Sequence, residues 1–77
     1  MMKVDVHDNG AAFCVTVNGM IVSAHSILGD AWRHIAWMHR VASQKFVVGK
    51  KEIPVDKWIE IGIENGFLDK NAGFKYC

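Results

Sequence analysis

The chain has 77 residues, 51% of them hydrophobic, and nine Lys and Arg stand against eight Asp and Glu for a net charge of +1. That length supports one small domain, and the apolar share argues against disorder. Near-neutrality excludes a nucleic-acid binder that works by bulk charge, and with no run of 18 apolar residues no membrane span is expected.

The opening Met1-Met2-Lys3-Val4-Asp5 alternates, unlike the apolar stretch of a signal peptide. Asn9-Gly10 and Asn18-Gly19 each lie between alternating segments, and Asn-Gly is the preferred pair for a two-residue type I′ hairpin loop. Such a loop at Asn18-Gly19 pairs Val17 with Met20, Val15 with Val22 and Phe13 with Ala24. The same loop at Asn9-Gly10 pairs Val6 with Phe13, Val4 with Val15 and Met2 with Val17. Both registers put Met2, Val4, Val6, Phe13, Val15, Val17, Met20, Val22 and Ala24 on one face of a three-stranded meander. The other face is mixed and carries His7, Cys14, Ile21, Ser23 and His25.

An apolar sheet face needs a cover. Leu28, Ala31, Ile35, Met38 and Ala42 recur at helical spacing, with Trp32 beside them. They predict a helix over 27–43, with Ser26 or Asp30 at its start. Lys45-Phe46-Val47-Val48 then reads as a strand, and Gly49-Lys50 as a II′ turn that pairs Phe46 with Ile53. Pro54 suits the first turn of a second helix over 55–65, which Gly66 ends and Phe67 follows. Asp56, Lys57, Glu60 and Glu64 mark its wet side, while Trp58, Ile59, Ile61 and Ile63 wrap more than one face. Residues 69–77 form a C-terminal tail that Phe74 and Tyr76 would pin to the body. The expected fold is a single α+β domain over residues 1–77: a three-stranded antiparallel meander packed by one helix, then a short hairpin and a second helix.

The chemistry-bearing residues are sparse. Cys14 and Cys77 are too few for the disulfide framework of a small secreted domain and suit a reducing cytosol, Cys14 in a strand and Cys77 as a tail thiol. His34 and His39, five apart, fall about 140° apart around a helix, so they form no ligand pair. His7 and His25 could approach each other across the middle strand near Ala12, which makes a pair and not a zinc site. A Cys14–His25 dyad on the polar face has no third member or oxyanion hole, and no hydrolase, dinucleotide, P-loop or metalloprotease motif is present. The reading is no enzyme, no metal and no cofactor.

Charge is segregated along the chain. Residues 31–51 hold five cations and no acid, and residues 52–69 hold five acids and one lysine. Trp37, placed opposite the core stripe between Arg33 and Arg40, has the composition of an interface hot spot or of a nucleic-acid stacking platform. Packing under the second hairpin is the structural alternative for it. The candidate partner-binding surface is therefore Arg33, Trp37, Arg40, Lys45, Lys50 and Lys51, with the acidic face Asp56, Glu60 and Glu64 as the alternative.

The segment Asp30-Ala31-Trp32-Arg33-His34-Ile35-Ala36-Trp37-Met38-His39-Arg40-Val41-Ala42-Ser43 matches no enzyme motif. With the Asn-Gly meander before it and Trp58 to Asp69 after it, the chain resembles the short accessory proteins of temperate phages and mobile elements of enteric bacteria. In style it is closest to anti-CRISPR proteins. The resemblance lies in size and architecture and carries no site residue over. It implies a cytoplasmic viral protein that acts inside the host bacterium as an inhibitor, occluding a larger host protein or ribonucleoprotein complex through protein–protein contact. Two other readings stand beside it: a nucleic-acid-binding regulator using Arg33, Trp37 and Arg40, and a homodimer closed through the exposed sheet face or the Ile-rich second helix.

Overall fold

A computed structural model describes residues 1–74. Three strands, β1 (Lys3–Asp8), β2 (Phe13–Val17) and β3 (Met20–His25), lead into helix α1 (Leu28–Arg40). Two short strands, β4 (Val47–Val48) and β5 (Ile53–Pro54), precede helix α2 (Val55–Glu64). The architecture is α+β, as the patterning predicts. All five strands form one mixed sheet in the order β3-β2-β1-β4-β5, so the second hairpin does not stand apart but extends the meander. β4 runs parallel to β1, held by Val47 N–H to Met2 O at 3.0 Å and Gly49 N–H to Val4 O at 2.9 Å.

The Asn18-Gly19 loop is the expected two-residue turn: both residues have positive φ, and Val17 faces Met20. The Asn9-Gly10 loop is longer. Val4 pairs with Val17 and Asp8 with Phe13, leaving residues 9–12 in the turn. The Asn9 carboxamide oxygen accepts the N–H groups of Ala11 and Ala12, and an Asp8 carboxylate oxygen accepts that of Gly10, each at 2.9 Å. These side-chain acceptors stabilise a four-residue loop over the two-residue one. The resulting slip of two residues keeps every side chain on its expected face.

β3 departs from expectation. A bulge between the Val15 and Thr16 positions leaves Val22 without an opposite residue, so Val15 faces Ser23 and Phe13 faces His25. Ser23 and His25 therefore turn to the helix side and Ala24 to the other, while Met20, Val22 and Ala24 are exposed instead of forming core.

α1 covers the sheet through Ala31, Ile35 and Met38, with Leu28 half-buried. It is shorter than predicted. Its cap is Ile27, whose carbonyl accepts the N–H of Asp30 and Ala31, and it ends before Ala42, which is exposed. Ala36, on the side away from the sheet stripe, is also buried, because Gly73 of the C-terminal loop lies on the helix backbone there. The hairpin turn spans residues 49–52, closed by Glu52 N–H to Gly49 O at 3.1 Å, and Val48 faces Ile53. Phe46 lies outside the strand, buried, with its carbonyl accepting the Val55 N–H. In α2, Ile59 is buried, Trp58 and Ile63 are half-buried, and Asp56, Lys57, Glu60 and Glu64 are exposed as predicted. The expectations for Tyr76 and Cys77 fall outside the described residues.

Candidate functional site

The parallel seat of β4 on β1 builds a cleft. β1 and β4 pair only at Lys3–Val47 and Val4–Val48, so from Asp5 onward β1 separates from the hairpin. The opening is a cleft of about 520 Å³. Its floor is apolar, with Phe13 and Ile35 below and Trp32 and Trp58 at the sides. Lys50 and Lys51 stand on its hairpin lip, and Asp5 and Asp8 on its β1 lip. A second hollow of about 250 Å³ shares Trp32, Ile53 and Trp58 with it and runs on to Ile61 and Phe67. The Trp32 and Phe67 rings meet edge to face, with centroids 5.0 Å apart. The two hollows adjoin at Trp32, Ile53 and Trp58 and together make the groove between α1, the hairpin and α2, and Phe67 at the end of the second is 59% exposed.

Local chemistry fixes the lips. Asp5 accepts the Val6 N–H at 2.8 Å, which occupies a donor on the part of β1 that β4 does not reach. Lys3 and Glu52 bridge β1 to the hairpin at 2.7 Å. The hydrogen bond and charge of each partner raise the Lys3 pKa and lower that of Glu52. Lys50 and Lys51 are exposed and make no ion pair among the described residues.

The residues of the expected basic surface have different local settings. Lys50 and Lys51 belong to the groove. Lys45 lies at another hollow, with Met1, His39 and Asp56. Arg33 is paired with Asp30 at 2.6 Å. Arg40 donates to the carbonyls of Lys70 and Ala72, both at 2.9 Å, and lies 5.1 Å from the Phe74 ring centroid, so it fastens the C-terminal loop. Trp37 is neither a bare platform nor beneath the hairpin. It is half-buried and stacks on His34, with centroids 5.7 Å apart, and His34 in turn meets His25 of β3 at 5.4 Å. Asp56, Glu60 and Glu64 form an exposed line on α2, with Asp56 beside Lys45.

The histidine and cysteine expectations change with the bulge. His25 faces α1, whereas His7 and Cys14 lie opposite each other on the outer face, so neither the His7–His25 approach nor the Cys14–His25 dyad forms. Cys14 is buried and accepts from Asn9 Nδ2 at 3.6 Å. Among the described residues, no three His, Cys, Asp or Glu converge to hold a metal ion, and no helix is long and apolar enough to cross a membrane. Burial, and secondarily the nearby His25, lowers the His34 pKa.

Sequence patterning missed the groove itself. Trp32 reads as lying beside the core stripe of the first helix and Trp58 as one of the residues that wrap more than one face of the second, and the register that opens a space between them depends on a long-range parallel pairing. No family model matches the chain, and neither does any curated protein or any solved structure.

Proposed function

We propose that this is a non-enzymatic binding protein that acts by occlusion on a larger host protein or ribonucleoprotein complex, in the manner of the anti-CRISPR proteins it resembles in size and architecture. The groove carries the reading. It offers an apolar floor between two tryptophans, two lysines on the hairpin side with no ion pair among the described residues, and Asp5 and Asp8 across on β1, so an acidic group is accommodated on the hairpin side alone. The occupant that fits is a segment of the partner with an aliphatic or aromatic anchor followed by an acidic residue. The anchor would displace water from Trp32 and Trp58, and the acid would meet Lys50 and Lys51. Arg33 and Arg40 are committed to Asp30 and to the C-terminal loop, which favours the groove over the α1 basic face.

The test is affinity capture from a bacterial lysate with intact CRISPR machinery. The wild-type chain is compared with Lys50→Glu/Lys51→Glu, with Phe67→Ser, and with Arg33→Ala as control. The groove variants should reduce recovery of an effector component at least tenfold while Arg33→Ala retains it. Equal recovery by all four overturns the site. Failure to retain any effector component, together with salt-sensitive binding of labelled DNA or RNA, overturns the function.

A further inference from the structure

We propose that β3 pairs antiparallel with β3 of a second copy of this chain, joining two five-stranded sheets across a two-fold axis near Val22. The two edges of the sheet are built differently. The β5 edge is two residues long and includes Pro54, which has no N–H to offer. The β3 edge is six residues long, has no proline and no Asp, Glu, Lys or Arg, and no described strand pairs with its outer side. Met20 is 73%, Ile21 61% and Val22 52% exposed there, and Ile27 just beyond is 60% exposed. The bulge at Val22 is the one protective device, and it also leaves two successive apolar side chains in solvent.

The occupant follows from charge. Residues 11–29, which contain β2, β3 and their turn, carry no Asp, Glu, Lys or Arg. With the axis near Val22, the two-fold sets Val22 against its own copy and Ile21 close to its own, so a charge in the middle of the strand would repel itself. A strand without charge meets no such penalty from its own copy and offers nothing to steer a charged partner. The four exposed side chains present on the order of 400 Å², about half of the ~800 Å² per partner of a standard interface, which fits a weak dimer held by strand pairing. The groove opens between β1 and the β4–β5 hairpin and reaches no farther toward β3 than Phe13 of β2, so pairing at the outer edge of β3 leaves it open and does not depend on the function proposed for it.

Sedimentation or light scattering across a concentration series tests the proposal. The wild-type chain should pass from 8.6 kDa to twice that mass with a midpoint in the micromolar range. Ile21→Lys and Ile21→Glu, at an exposed position where folding is little affected, should each raise the midpoint at least tenfold. An equimolar mixture of the two should re-form the dimer, because the two-fold then places Lys beside Glu. A wild-type chain that stays at 8.6 kDa to high concentration overturns the proposal. So does a dimer that neither substitution weakens, or a mixture no tighter than its parts.

Discussion

Gly73 sits where backbone conformation and space both oppose a side chain. It has φ +90°, and a Cβ there would lie 2.8 Å from the Ala36 carbonyl carbon and 2.9 Å from the Trp37 amide nitrogen. Both are helix backbone and cannot give way as a side-chain tip could. Ala36 is buried and Arg40 reaches the loop carbonyls because this contact is so close. Gly73→Ala should therefore lower unfolding free energy by about 1–3 kcal/mol in urea titration. Gly10→Ala is the control, since Gly10 has φ +89° but open space around it. It pays only for the left-handed backbone, about 1 kcal/mol. Equal losses for the two would show that the loop does not depend on the helix contact. Arg40→Ala should weaken the same loop by about 1–2 kcal/mol through its lost charge-assisted bonds.

At the scale of elements, the C-terminus of α1 is stabilised by bonds and strained by one residue. Ala42 N–H bonds to Trp37 O and Gln44 N–H to Met38 O, a wide final turn that puts Ser43 at φ +58°. Glycine is the residue such a turn ordinarily takes. Ser43→Gly should raise stability by about 0.5–1 kcal/mol, read as a higher urea midpoint at unchanged slope. A drop would show that the Ser43 side chain supports the turn. The apolar spacing of α1 predicts Ala42 as core and misses this ending, because spacing does not register where a helix must turn back. The same holds in the sheet. Alternation fixes which faces Val4, Val15 and Val17 take, and those faces survive the two-residue slip at Asn9. Alternation has no term for the side-chain oxygens of Asp8 and Asn9 that lengthen the loop, nor for the bulge that turns Ser23 and His25 inward. The seat of β4 on β1 joins residues more than 40 positions apart, and two valines carry no signal for it.

At the scale of the whole molecule, the same bulge decides where pH acts. In the sequence His25 belongs to the outer face, but in the structure it lies under α1, 5.4 Å from His34 and hydrogen-bonded to Ser23 at 2.9 Å. On α1 itself, His34 stacks on Trp37. Burial first, and then the His25 charge, holds the His34 imidazole below the ordinary value of 6.5. Protonation of His34 is therefore easier in the unfolded chain, and acid favours unfolding. The contribution is complete above pH 6.5 and is lost as pH falls through the lowered folded value. The Lys3–Glu52 bridge acts in other windows. Glu52, lowered from 4.5, keeps its contribution until pH falls through that lowered value, and Lys3, raised from 10.5, loses its own only as pH rises through the raised one. Between pH 7.5 and 5.5 both partners of the bridge stay charged, so His34 is the group whose shift acts there. Thermal unfolding should show a lower midpoint at pH 5.5 than at 7.5, and His34→Gln should flatten that difference while leaving the acid loss below pH 4.5. If His34→Gln keeps the full drop, the coupling of α1 to β3 does not pass through this imidazole. His25→Gln offers the second reading of the same contact: with the neighbouring charge removed but His34 still buried, the drop should shrink without vanishing.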